Sequence, residues 1–129
     1  MRDVFNKVRV LVVDDHESMR RIITTLLRAF GFSTLLEATD GDEALRLIQT
    51  FEPDVIITDL KMPVLNGIDL VQALRADKAN KFCDVPVIMV TGHASETVIR
   101  TAIAAGIDQF LAKPITPRSL AERLRRLAA

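Results

Sequence analysis

Short runs of apolar, largely β-branched residues alternate along the chain with longer stretches in which apolar residues recur every three or four positions. That alternation is the mark of βαβ units wound around a parallel sheet. Five runs read as strands: residues 9–13, 34–38, 55–58, 87–90 and 109–112. Four of them are apolar almost throughout, as a strand covered by helices on both faces must be. The run at 34–38 is weaker and fits a sheet edge. The pattern therefore predicts an α/β fold with a doubly wound, five-stranded sheet.

The helical stretches carry their own start and stop signals. Residues 19–30 place Ile22, Ile23, Leu26, Leu27 and Phe30 on one stripe and turn Arg20, Arg21, Thr24, Thr25 and Arg28 to water, with Gly31 able to end the helix. Asp40 and Glu43 form a capping box ahead of Ala44, Leu45 and Ile48. Asn66 can cap a third helix through Leu70, Val71 and Leu74, and Ser95 a fourth through Val98, Ile99, Ala102 and Ile103, with Gly106 behind it. In the fifth, Thr116 caps, Pro117 takes the first helical position, and Leu120, Leu124 and Leu127 form the apolar stripe.

Composition narrows the classes. The 129 residues, 49% hydrophobic and 26% charged, predict one domain over residues 1–129 with no room for a separate output domain. Lys+Arg and Asp+Glu both number 17, which removes the basic excess expected of a nucleic-acid binder. The apolar runs are far shorter than the roughly 20 residues a membrane span needs. A lone Cys83 and the lack of an opening signal peptide predict a reducing, cytoplasmic setting. The last helix holds a local cationic excess, Arg118, Arg123, Arg125 and Arg126 against Glu122, which reads either as a solvated face with an ordinary Glu122–Arg126 pair or as a surface for an acidic protein partner.

Chemistry gathers at the strand ends. Asp14 and Asp15 follow the first strand, Asp59 the third, Thr91 the fourth and Lys113 the fifth. In open α/β sheets ligands bind at those carboxyl ends. Carboxylates crowded at the rim of an apolar sheet repel one another unless a cation compensates. Oxygen donors with no Cys or His pair nearby suit Mg²⁺ better than zinc. His16 and His93 read as loop residues.

Four pieces in order, Val12-Val13-Asp14-Asp15, Asp59-Leu60-Lys61-Met62-Pro63 with Gly67 following, Val90-Thr91-Gly92, and Lys113-Pro114, resemble bacterial response-regulator receiver domains over nearly the whole chain. Met19-Arg20-Arg21-Ile22 and the Asp40-Gly41 helix start resemble in particular the stand-alone chemotaxis members of that family. The resemblance implies a flavodoxin-like (βα)5 fold with strand order 2-1-3-4-5, and a cis bond before Pro114. It implies that Asp59 accepts a phosphoryl group from a histidine kinase, a histidine phosphotransfer protein or a small phosphodonor. Mg²⁺ would be held by Asp15, Asp59, the Lys61 backbone carbonyl and, through water, Asp14. Lys113 would bind a phosphoryl oxygen, Thr91 would move to hydrogen-bond another, and Phe110, three positions before Lys113, would swing into the space vacated. The switched surface, made by the fourth helix, fifth strand and fifth helix, would then act on a separate protein, the receiver being monomeric or pairing on activation.

Some positions depart from that pattern. Lys61 stands where the chemotaxis members have asparagine, and His93 where they have glutamate, so the lifetime of the phosphoryl group is expected to differ from theirs. Phe110 lacks the hydroxyl of the tyrosine common at its position. Two further readings stay open beside the resemblance: a phosphorylation-independent interaction module on the same fold, and a small haloacid-dehalogenase-type Mg²⁺ phosphohydrolase. The second expects an Asp-x-Asp nucleophile after the first strand, where this chain has adjacent Asp14-Asp15.

Overall fold

Valine and isoleucine, stiff at χ1, favour extended backbone, and they fill the strands β1 (Arg9–Val13), β2 (Thr34–Ala38), β3 (Val55–Asp59), β4 (Val87–Thr91) and β5 (Gln109–Ala112). The structure is a computed structural model that describes residues 7–92 and 94–128. Helices α1 (Glu17–Ala29), α2 (Gly41–Phe51), α3 (Gly67–Ala76), α4 (Glu96–Ala105) and α5 (Pro117–Ala128) connect and follow the strands. Every strand pairing is parallel, and the order is β2-β1-β3-β4-β5. The weak second strand is indeed an edge. Two strands run one residue past the apolar pattern, taking in Asp59 and Thr91.

Side chains alternate across a strand, so continuous apolar runs feed two cores. Leu11, Val13, Ile56, Val87 and Met89 pack with Ala44, Ile48, Leu70, Leu74 and Ala102 from α2, α3 and α4. Val10, Val12, Ile57, Ile88, Val90 and Leu111 pack on the other side with Ile23, Leu27 and Leu120 from α1 and α5. No helix among the described residues is long and apolar enough to cross a membrane.

Several helix details differ from the sequence expectation. The first helix starts at Glu17 instead of Met19, and Phe30 is its C-cap. Its inward face runs through Arg20, Ile23, Thr24 and Leu27, which leaves Ile22 47% exposed and Thr24 only 3% exposed. Thr24 tolerates burial because its hydroxyl donates to the Arg21 carbonyl at 3.2 Å. In α4 the packed residues are Val98, Ala102 and Ala105, while Ile99 and Ile103 face outward. The expected capping box at Asp40 is only half formed: Asp40 accepts from the Glu43 amide at 2.7 Å, but the Glu43 carboxylate reaches one residue further, to the Thr39 amide at 2.7 Å. Asn66 and Asp69 make the complete box instead. In α5, Glu122 lies 3.9 Å from Arg118, one turn before it, and not against Arg126.

One polar clamp joins elements at the end of the sheet away from the acidic residues. Arg75, at the end of α3, donates to the carbonyls of Cys83 (2.8 Å) and Gly106 (2.9 Å) and to Asp108 Oδ2 (3.1 Å). Asp108 Oδ2 also accepts the Val87 amide at 2.8 Å. Gly106 sits at φ 108, and a Cβ there would stand 2.9 Å from Arg75 Nε, so both backbone and neighbour require glycine.

Candidate functional site

Parallel strands bring their carboxyl ends to one rim, and register fixes who meets whom. Val13 aligns with Ala38 on one side and Thr58 on the other, so Asp14 and Asp59 leave adjacent strands at the same level. Asp59 is paired with Val90, one residue before Thr91, and Thr91 is paired with Ala112, one residue before Lys113. The Lys113 amide donates to the Thr91 carbonyl at 3.0 Å. All five polar residues read from the strand ends therefore reach one rim.

The side chains close the pocket. Single ligand atoms of Asp14, Asp15, His16 and Asp59 all lie within 4.8 Å of one another. Asp14 and Asp59 are buried, 1% and 5% exposed. Asp59 Oδ1 accepts the Leu60 amide at 2.9 Å and faces Lys113 Nζ at 3.3 Å. A carboxylate fixed through one oxygen keeps the other for bond formation. The loop beyond Asp59 is folded back over it: the Gly67 amide donates to the Leu60 carbonyl at 2.9 Å, and a Cβ on Gly67 would collide with the Asp59 carbonyl oxygen and stand 2.9 Å from Met89 Cε. Glycine is required at 67 by close approach and not by its dihedral angles.

Asp14 is buried beside a second carboxylate. Its Oδ1 accepts the His16 amide at 2.8 Å, whereas Oδ2 is buried with no hydrogen-bond partner among the described residues. Burial raises its pKa above the ordinary value of 3.8 and the Asp59 charge adds to that, while the His16 hydrogen bonds and Lys113 act against it. An orphaned buried carboxylate oxygen beside two more carboxylates fits a hard cation, since three of the four clustered groups offer oxygen.

His16 is the residue that sequence reasoning set aside. It is the N-cap of α1 without a side-chain cap, and its Nδ1 lies 3.3 Å from Asp14 Oδ1 and 3.1 Å from Asp15 Oδ1. Ionised carboxylates only accept, so the tautomer with the proton on Nδ1 is the one that can donate to the acidic pair. Arg20 was also missed, since its Nη1 donates to the Asp14 carbonyl at 2.8 Å. Neither contact has a sequence signature.

The remaining expected residues take their places around this centre. Lys61 is exposed and lines a groove of about 610 Å³ with Asp15, His16, Met62, Pro63 and Asn66. Phe110 is half-buried against the core that contains Met89, its register partner, and its carbonyl accepts from Arg123 Nε. One of the four α5 arginines is thus committed to β5. The Lys113–Pro114 bond is cis. His93 lies outside the described residues.

Comparison with known proteins adds to this geometry. The family model described as "Response regulator receiver domain" matches residues 10–125. Chemotaxis protein CheY1 of Helicobacter pylori is 42% identical over 118 residues, 91% of this chain and 94% of that protein. Chemotaxis protein CheY of Pseudomonas aeruginosa is 41% identical over 120 residues, 93% of this chain and 95% of its own. Among solved structures, Vibrio cholerae chemotaxis protein CheY4 superposes with a TM-score of 0.83 at 36% identity, covering 92% of this chain and 97% of that one. The Francisella response regulator 1452 receiver domain does so with a TM-score of 0.82 at 34% identity, covering 94% and 96%.

Proposed function

The chain belongs to the response regulator receiver domain family, and from that premise we propose that it works as a phosphorylation switch in a two-component relay, with Asp59 as the acceptor. The observation that carries this reading is the buried Asp59 carboxylate, pinned by the Leu60 amide and Lys113 and ringed by Asp14 and Asp15. The free Asp59 oxygen forms a bond to phosphorus as the bond from phosphorus to the donor breaks, and the electron pair leaves with the donor. That donor is a phosphohistidine on a histidine kinase or phosphotransfer protein, or a small acyl phosphate. The phosphoryl group stays on Asp59 while the spent donor departs, so the protein modifies itself and is not a conventional enzyme.

Asp14, Asp15, Asp59 and the Lys61 backbone carbonyl would hold Mg²⁺. Bound there, the ion would offset the negative charge of the carboxylates and of the incoming phosphoryl oxygens. Lys113 supplies a second positive charge from β5, and it gives up Asp59 Oδ1 for a phosphoryl oxygen. Thr91, on the neighbouring strand end, donates its hydroxyl to another, and the added charge of about −1.5 to −2 makes that bond strong. Phe110, on β5 two residues before Ala112, the register partner of Thr91, fills what Thr91 leaves. The packing change is read out on α4, β5 and α5 by a separate protein, for which Ile99 and Ile103 already offer exposed apolar surface.

Incubation with Mg²⁺ and a small acyl phosphate, followed by intact mass measurement, tests the reading. One phosphoryl group per chain is expected on the wild type and none on Asp59→Asn. Rapid turnover of assorted phosphate esters would point to a phosphohydrolase, and no adduct at all to a phosphorylation-independent module.

A further inference from the structure

Arg20 closes the first turn of α1, its amide donating to the His16 carbonyl at 3.1 Å. Its side chain turns back toward the sheet and is only 14% exposed. Nη1 donates to the Asp14 carbonyl at 2.8 Å and Nε to Glu37 Oε1 at 3.0 Å. Glu37 belongs to the edge strand β2, where it is paired with Val12. A guanidinium presents its donors in a rigid planar fork, so anchoring one edge to Glu37 fixes the direction of the other.

The carbonyl that Arg20 holds belongs to the peptide joining Asp14 to Asp15. Rotation of that peptide would swing both carboxylates at once. The amide on the other side of Asp14 is already fixed, donating to the Ala38 carbonyl at 3.1 Å. Asp14 Oδ1 is taken by the His16 amide, which leaves the buried Oδ2 as the atom whose aim depends on the backbone. Both peptides that flank Asp14 are therefore fastened to β2, one directly and one through Arg20 and Glu37.

We propose that Arg20, braced by Glu37, is a positioning residue for the cation site: it fixes the Asp14–Asp15 peptide so that both carboxylates face the pocket. The proposal rests on the reading of that pocket as a Mg²⁺ site. It differs from a role in which Arg20 only supplies positive charge, because lysine would serve that role equally. It also differs from a role in folding alone, because that would leave ion affinity untouched.

Titration calorimetry with MgCl₂ on wild type, Arg20→Lys and Glu37→Ala, each held well below its unfolding temperature, separates these cases. Arg20→Lys keeps the charge and loses the fork, and its Mg²⁺ affinity is expected to fall about tenfold, as for other residues that orient metal ligands. The Mg²⁺ concentration giving half-maximal phosphorylation should rise by the same factor, with the rate at saturating Mg²⁺ changed by less than about twofold. Glu37→Ala, which frees an intact Arg20, should weaken binding in the same direction by less. Wild-type affinity in Arg20→Lys overturns the proposal and leaves the cation site standing, as does a defect seen only at saturating Mg²⁺. Should Arg20→Lys fail to fold, unchanged affinity in Glu37→Ala overturns it. No Mg²⁺ uptake by the wild type removes the cation reading and this proposal together.

Discussion

Asp14 shows how a single residue can be bad for the fold and good for the site. Its carboxylate is buried, one oxygen lacks a hydrogen-bond partner among the described residues, and burial holds its pKa above 3.8. A folded-state pKa raised above the unfolded value means that the native chain holds this proton more tightly than the unfolded one. The associated stability is complete below pH 3.8 and is lost as pH rises through the raised value. At neutral pH, without divalent ions, Asp14→Asn should therefore stabilise the protein. Asparagine keeps the oxygen that accepts from the His16 amide and drops the charge. A gain of about 1 kcal/mol is expected, the lower end for an unsatisfied buried group, or about 3 to 5 °C in Tm for a domain of this size. Thermal unfolding followed by circular dichroism in a chelator should show that gap closing as the pH approaches 3.8. Mg²⁺ at ten times its Kd should add about 1.4 kcal/mol to the wild type and much less to the variant. A variant less stable than wild type at neutral pH would show that the pocket compensates Asp14 without a cation. The acidic residues themselves were legible in the sequence because the Asp14-Asp15 pair and Asp59 each end a β-branched run. His16 and Arg20 were not, because their partners are a carboxylate pair met through a turn and a backbone carbonyl, and neither leaves a pattern of residue types.

At the level of elements, the connection from β3 to α3 shapes the surroundings of Asp59, the proposed acceptor. It leaves the strand at Asp59, returns the Gly67 amide to the Leu60 carbonyl, and makes a three-residue turn in which the Leu65 amide donates to the Pro63 carbonyl at 2.8 Å with Val64 at φ 67. That turn is the uncommon, strained form. The start of α3 is held down by the Asn66–Asp69 capping box. The helix thus begins in contact with the backbone of Asp59, and Gly67→Ala should force the two apart. Overpacking of this kind costs about 1 to 3 kcal/mol. Because the colliding atom is backbone, the displacement should reach Asp59 and slow phosphorylation by acyl phosphate even where the variant is still fully folded. Denaturant titration and the rate of adduct formation measure the two effects, and a destabilised protein with a wild-type rate would place Gly67 outside the acceptor's support. The strands were readable from the sequence to within a residue, since burial on both faces leaves an unbroken apolar run. Helix faces were less so. Ile22 and Ile103 fit an apolar stripe yet point outward, while Thr24 fits a polar one yet is buried, because a rotation of roughly a quarter turn in how the helix meets the sheet reassigns residues at the edges of the stripe that periodicity alone treats alike.

For the whole molecule, the two ends of the sheet are built for different tasks. The rim at the carboxyl ends concentrates unsatisfied charge, and the opposite end is tied by neutralised hydrogen bonds. Arg75 fastens the end of α3 to the connection at Cys83, to the C-cap of α4 at Gly106, and to Asp108 ahead of β5, while Asp108 holds the first amide of β4. α4 is therefore anchored at its C-terminal end, where the Ile107 amide also reaches the Ala102 carbonyl at 3.1 Å. Its N-terminal end follows the Thr91 strand end and is held by the Ser95 cap. A packing change started at Thr91 should then tilt α4 about a fixed C-terminal pivot. Hydrogen exchange on phosphorylated wild type should change at the amides of Gly92, Thr97 and Val98, with those of Gly106, Ile107 and Asp108 unchanged. Arg75→Met keeps the aliphatic stem and removes every donor, so stability should drop by about 2 to 3 kcal/mol, the scale of charged hydrogen bonds lost in partly buried surroundings. In that variant the phosphorylation-dependent change should spread along α4 to Ile107. Equal changes at both ends of α4 in the wild type would mean that the helix shifts as a unit and that the clamp serves stability alone.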